Sequence, residues 1–212
     1  MIKVILKCTF LLLSYLIGAI PFGYLLGKSK GIDIRKHGSK NIGATNTGRV
    51  LGKKYAIIAF FCDFLKGALF TFLFRFEIIS STYMLISPAI YGLLAVLGHT
   101  FSVFLKFKGG KAVATSCGLI FGYCPLLFVL VMITFFVTLR ISKMVSLGSL
   151  ISSLIATIGT IILYIIKLDF LSLNIDIYFL LSIIIATIII FFRHKQNIVR
   201  IFNKEESKVT WI

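Results

Sequence analysis

The chain has 212 residues, 58% of them hydrophobic, with 23 Lys and Arg against 7 Asp and Glu and a mean hydropathy of +1.02. That is more apolar surface than a soluble domain of this length can bury, so the sequence reads as an integral membrane protein. A net charge of +16 would suggest nucleic acid in a soluble protein. Here the basic residues fall in short blocks between apolar runs, which membrane topology explains, and no nucleic-acid partner is expected.

Taking about twenty apolar residues as one bilayer crossing, the first run extends from Val4 to Gly27. It has no clear small-residue cleavage site and is read as a retained span rather than a signal peptide. Next comes a polar, glycine-punctuated stretch from Gly38 to Arg49. Its glycines let the backbone turn tightly, Ser39, Asn41, Thr45 and Asn46 add short polar groups, and Lys40 and Arg49 add charge, which together suit an anion. An ordinary cytoplasmic loop would also be basic, so the stretch alone does not decide.

The second run, Tyr55 to Phe74, contains Asp63 and Lys66 three residues apart on one helical face, followed by Gly67. An ionisable pair at membrane depth marks either a functional position or mutually neutralising structural glue. The third run, Thr82 to Leu105, leads into Lys106-Phe107-Lys108-Gly109-Gly110-Lys111, where a helix is expected to open at Ala112. Glycines and a lysine at a helix N-terminus favour an anion. A nucleotide P-loop is excluded, because Leu105 stands where its first glycine belongs and Ala112 where magnesium needs Ser or Thr.

The run from Ala112 to Leu139 is too long for one upright helix and carries Gly118, Gly122 and Pro125, so it is either a tilted span or a hairpin of two short ones. Two further runs, Val145 to Ile166 and Ile175 to Phe192, complete the set. If the long run is a hairpin, the blocks 28–54, 106–111, 140–143 and 193 onward share one side, which holds most of the Lys and Arg. The other side keeps Lys3, Lys7, Arg75, Glu77, Lys167, Asp169 and Asp176. The positive-inside rule therefore predicts seven helical passes, some short, with an external N-terminus and a cytoplasmic C-terminus. The expected fold is all-α and polytopic, one membrane-embedded domain over residues 1–212.

The tail opens with His194-Lys195-Gln196-Asn197, and His194 and Asn197 share a helical face. Cys8, Cys62, Cys117 and Cys124 sit in apolar segments without metal-ligand spacing, and no nucleophile elbow, zinc helix or His-x4-Asp pair occurs. No metal or cofactor is expected.

Taken together, these motifs resemble the bacterial acyl-phosphate:glycerol-3-phosphate acyltransferases of the PlsY family. The resemblance rests on Ser14-Tyr15-Leu16-Ile17-Gly18, Ile20-Pro21-Phe22-Gly23, Gly38 to Asn46, Asp63-x-x-Lys66-Gly67 and Gly98-His99. It continues through Lys106 to Thr115, Val145-Ser146-Leu147, and His194-x-x-Asn197-Ile198-x-Arg200 with Glu206 beyond. It implies acyl transfer from acyl phosphate to glycerol 3-phosphate, giving lysophosphatidic acid and phosphate, at the cytoplasmic face of the bacterial inner membrane. The implied partners are these substrates, membrane lipids and an upstream enzyme that forms acyl phosphate. The implied catalytic residues are Ser39, Arg49, Lys111, His194 and Asn197. Lys40, Asn41, Gly43, Thr45, Asn46, Lys106, Gly109, Gly110 and Ser146 are assigned to substrate phosphate, and Asp63 with Lys66 to a structural intramembrane pair. Lys40, Ala112 and Lys204 depart from the family by standing where it usually has glycine, and Lys195 where Arg is usual. The competing class is a small anion transporter or channel, disfavoured because no internal repeat relates the halves and the polar motifs gather on one face.

Overall fold

Pro21 lacks an N–H and cannot continue a helix, and the first apolar run breaks there into α1 (Ile2–Ala19) and α2 (Phe22–Lys28), bent by 47°. The computed structural model describes residues 2–167 and 175–209, and every regular element among them is helical. After α2 come α3 (Ala44–Leu51), α4 (Lys53–Arg75), α5 (Pro88–Thr100) and α6 (Val113–Tyr123). These belong to a first compact unit that ends at Tyr123; a second begins at Cys124. The second contains α7 (Pro125–Ser142), α8 (Val145–Ile166), α9 (Ile177–Arg193) and α10 (Lys195–Phe202).

Local chemistry sets several of these boundaries. Ser87 caps α5 by accepting from the Ala89 N–H, with Pro88 at the first helical position, where its missing donor costs nothing. Asp176 caps α9 by accepting from the Phe179 N–H at 2.7 Å. The long run from Ala112 to Leu139 is two helices, not one continuous span: Cys124 between α6 and α7 is non-helical (φ −140°, ψ 85°), and Pro125 restarts the chain. At 11 residues, α6 rises only about 16 Å and is too short to cross a hydrocarbon core of about 30 Å.

Helices α4, α7 and α8, and the stretch Pro88–Leu105, are each long and apolar enough to span. Counting α1 with α2 and α9 with α10 as bent spans brings the total to six, and α6 adds a short apolar helix. Every apolar run expected from the sequence thus contains helix. Asp169, assigned above to the loop before the last run, lies outside the described residues.

Within the first unit, small residues let helices approach backbone to backbone, as membrane packing favours. A Cβ at Gly18 would strike the Ala95 backbone, and one at Gly118 would strike the Phe64 carbonyl. Phe10, Phe70, Phe74 and Tyr91 fill the space between α1, α4 and α5, with the Phe10–Phe74 and Phe74–Tyr91 ring centroids 5.3 and 4.6 Å apart. Within the second unit, α8 and α9 are joined by Thr157 and Thr187, whose hydroxyls lie 2.9 Å apart.

Candidate functional site

The first polar loop is organised from inside by Asn46. Its side chain is buried; Oδ1 accepts from the Ser39 N–H at 2.8 Å, and Nδ2 donates to the carbonyls of Asn41, Ile34 and His37. Both ends of this amide are taken up by the chain, so Asn46 shapes the loop instead of reaching out to a phosphate. Asn41 Oδ1 accepts from the Gly43 N–H at 2.8 Å, closing a tight turn into α3, and Thr47 donates to the Gly43 carbonyl. With the backbone fastened inward, Ser39, Lys40, Thr45 and Arg49 are left exposed on one short stretch. Just upstream, Asp33 pairs with Arg35 at 2.8 Å. The Arg35 hydrogen bond holds the Asp33 carboxyl down at about 2.

The second loop lies against the first: Leu105 packs with Ile34 and Ile42 in one buried cluster, flanked by Tyr24, Val50 and Leu51. Two basic glycine loops far apart in sequence are therefore neighbours. The loop itself is anchored by Ser102, which donates to the Ala19 carbonyl at 2.6 Å, and by Tyr15, which donates to the Phe101 carbonyl. One expectation is corrected here. The N–H groups of Gly109 and Gly110 donate to the Thr100 and His99 carbonyls, both at 3.0 Å, so they do not form an anion cradle. These glycines are needed because the loop lies directly on the end of α5: a Cβ at either would collide with His99. That places Lys111, half-buried, immediately beyond a rigid turn, with α6 opening at Val113 instead of Ala112. Lys106, by contrast, is exposed in left-handed conformation (φ 52°).

Beneath this loop, Asp63 and Lys66 form a buried ion pair at 2.8 Å, as their spacing predicted. His99 joins them, its Nδ1 3.4 Å from Asp63 Oδ1, and Lys66 also donates to the Ile20 carbonyl at the break between α1 and α2.

In the second unit the organiser is Glu206. Its Oε1 accepts from the Ser146 hydroxyl at 2.7 Å and from Asn197 Nδ2 at 2.6 Å, while its Oε2 accepts from Arg200 Nε at 2.7 Å. Burial alone would raise the Glu206 carboxyl, but these three hydrogen bonds outweigh it and hold the group below the ordinary glutamate range. His194 is buried at the 60° bend between α9 and α10. Its Nδ1 lies 2.8 Å from the Ile190 carbonyl, which can only accept. Nδ1 therefore donates to it and carries a proton.

The sequence profile described as glycerol-3-phosphate acyltransferase matches residues 8–204. The chain belongs to the glycerol-3-phosphate acyltransferase family. A glycerol-3-phosphate acyltransferase of Bacillus subtilis (strain 168) is 43% identical over 206 residues, covering 95% of this chain and 97% of its own. One from Streptococcus pneumoniae (strain Taiwan19F-14) is 44% identical over 203 residues, covering 95% and 92%. Among solved structures, the glycerol 3-phosphate form of PlsY (YgiH), an integral membrane glycerol 3-phosphate acyltransferase, superposes with a TM-score of 0.84 at 32% identity, covering 96% of both chains. Its lysophosphatidic acid form gives 0.81, covering 96% of this chain and 95% of that one.

The three positions at which the resemblance implies glycine share a backbone feature. Lys40, Ala112 and Lys204 have φ of 57°, 66° and 60°, a left-handed backbone that favours glycine, although each carries a Cβ. Such a conformation costs an L-residue about 1–2 kcal/mol, part of which glycine gives back through unfolded-chain entropy. Each of Lys40→Gly, Ala112→Gly and Lys204→Gly is expected to raise stability by up to about 1 kcal/mol, read as a higher unfolding midpoint in detergent. Two organisers, His99 and Glu206, were not assigned site roles from sequence. The available signal was their place in the family motifs; their partners lie far along the chain or across a turn, where helical spacing gives no clue.

Proposed function

We propose that this chain transfers a fatty acyl group from acyl phosphate to glycerol 3-phosphate. The glycerol hydroxyl oxygen attacks the acyl carbonyl carbon, the bond from that carbon to the phosphate oxygen breaks, and inorganic phosphate leaves. The hydroxyl proton passes to a phosphate oxygen, and the product is lysophosphatidic acid. The observation that carries this reading is the packing of the two basic loops through Ile34, Ile42 and Leu105, in a member of a family whose solved relative has glycerol 3-phosphate and lysophosphatidic acid forms. Family membership also favours it over transport.

Both substrates carry phosphoryl groups with up to two negative charges. Arg49 and Lys111 neutralise them, with Lys40 and Lys106 adding to the field and Ser39, Asn41 and Thr45 supplying hydrogen bonds, while the Gly43 N–H is already given to Asn41 Oδ1. Asn46, Gly109 and Gly110 hold the loops in shape. Because acyl phosphate has a good leaving group, positioning and oxyanion stabilisation suffice without a covalent intermediate. The test is acyl transfer by the purified protein with acyl phosphate, an acyl carrier protein thioester and acyl-coenzyme A supplied separately. Lysophosphatidic acid and phosphate should appear with acyl phosphate alone; transfer from a thioester only, or none, overturns the assignment.

We assign His194 and Asn197, with Ser146, to the same reaction. The His194 ring, fixed through Ile190, is assigned to orienting the glycerol 3-phosphate hydroxyl. His194→Gln should therefore keep appreciable turnover and raise KM for glycerol 3-phosphate. A fall in kcat of about 10² to 10⁴ at unchanged KM would make it the general base instead.

The same reading places the protein in the bacterial inner membrane, supplied by an acyl-phosphate-forming enzyme, with the basic loops and tail in the cytoplasm as the positive-inside rule requires. In sealed cells, cysteines introduced by Ser39→Cys and Gln196→Cys should resist an impermeant thiol reagent. Labelling of either would reverse its side.

A further inference from the structure

A charged pair buried in a membrane helix is a poor source of stability compared with packed apolar side chains, and its presence calls for another role. Asp63, Lys66 and His99 are each at most 5% exposed. Their connections lead to both polar loops. On one side, Lys66 Nζ donates to the Ile20 carbonyl at 2.9 Å. Three residues further on, Gly23 lies so close beneath the first loop that a Cβ there would collide with the Ile42 carbonyl and approach Thr47 Oγ1. On the other side, Asp63 Oδ1 sits 3.4 Å from His99 Nδ1. The opposite edge of that ring is covered by Gly110, where an added Cβ would collide with Nε2, and the His99 carbonyl accepts the Gly110 N–H. Lys111 is the next residue.

We propose that Lys66, Asp63 and His99 form a positioning network that sets Lys111 for phosphate, by holding the His99 ring against Gly110 and tying that turn to the α1–α2 break under the first loop. Lys66 fixes the Asp63 carboxylate, the carboxylate fixes the plane of the imidazole, and the imidazole is the floor on which the Gly109–Gly110 turn rests. Turning the ring displaces the turn, and Lys111 with it. A displacement of about 1 Å is enough to cost orders of magnitude in rate when a charged group must meet a developing anion. The inference rests on the acyltransferase reading above.

The test is a double-mutant cycle between His99→Gln and Lys111→Ala, with kcat/KM for acyl transfer as readout and the detergent unfolding midpoint measured alongside. With Lys111 present, His99→Gln should lower kcat/KM by about tenfold; with Lys111→Ala already in place it should lower it further by less than about twofold, because the group being positioned is gone. Effects that multiply, or a His99→Gln variant with unchanged kcat/KM, overturn the proposal, since a merely structural histidine would weaken both backgrounds alike. If His99→Gln does not accumulate as folded protein, Gly110→Ala presses on the same ring from the other side and replaces it in the cycle, with the same two outcomes. A wild-type protein that makes no lysophosphatidic acid from any donor would instead refute the acyltransferase reading.

Discussion

The double variant Arg49→Ala/Lys111→Ala is expected to lose about 10² to 10⁴ in acyl-transfer rate, and each single variant at least about tenfold. A charge-assisted contact to phosphate is worth about 1.5–3 kcal/mol and each 1.4 kcal/mol is a factor of ten. Arg49 is exposed on α3 just beyond the first loop, and Lys111 follows the turn that rests on His99. The charges thus come from two segments that share the Ile34, Ile42 and Leu105 cluster. Lys111→Arg should restore only part of the rate. A guanidinium is a wide planar fork where the ammonium is a point charge, and the turn behind it has no slack to accommodate the difference. Initial rates over a range of glycerol 3-phosphate concentrations measure this, and normal turnover in both single variants would show that the loops serve topology alone.

Glu206→Ala should be the most damaging substitution in the second unit. It strips the shared acceptor from Ser146, Asn197 and Arg200 at once, and removing the partner of several buried or charged donors costs about 2–4 kcal/mol. Activity should fall with stability, because Asn197 and Ser146 lose the group that orients them. The carboxylate also sets a pH dependence. Its pKa is lower when folded than when unfolded. The stability it contributes is therefore present above the ordinary glutamate value of about 4.3 and is lost as pH falls through the folded value. Unfolding midpoints below pH 5 should drop for the wild type and less steeply for Glu206→Gln, which cannot titrate. Parallel acid profiles would remove Glu206 from this role.

Much of the architecture was legible because hydropathy is additive along the chain. Runs of about twenty apolar residues must be satisfied by helix in lipid, and each such run contains one. Proline position carried similar weight at Pro125, which opens α7, whereas the first run was read as one span and its break at Pro21 came only with the structure. The i, i+3 spacing of Asp63 and Lys66 sufficed to predict their pairing because both partners lie on one helical turn. Sequence reasoning was less successful where an atom's partner lies elsewhere. Asn46 and Gly109–Gly110 look like ligand groups by composition, yet their hydrogen-bonding groups are directed into the protein.

The sequence by itself determined that this chain enters a membrane, where its apolar runs lie, and where its basic, glycine-rich loops fall. It does so because transfer free energy and charge are properties of residues and short segments. Only the tertiary structure decided which polar groups hold the site and which are left to act. It set His99 beside Asp63, rested Gly110 on that histidine, gathered Ser146, Asn197 and Arg200 on Glu206, and kept Lys40, Ala112 and Lys204 in a left-handed backbone. A hydrogen bond or a close backbone approach is satisfied between atoms whose neighbours are chosen by packing, and no local property of the chain names those neighbours in advance.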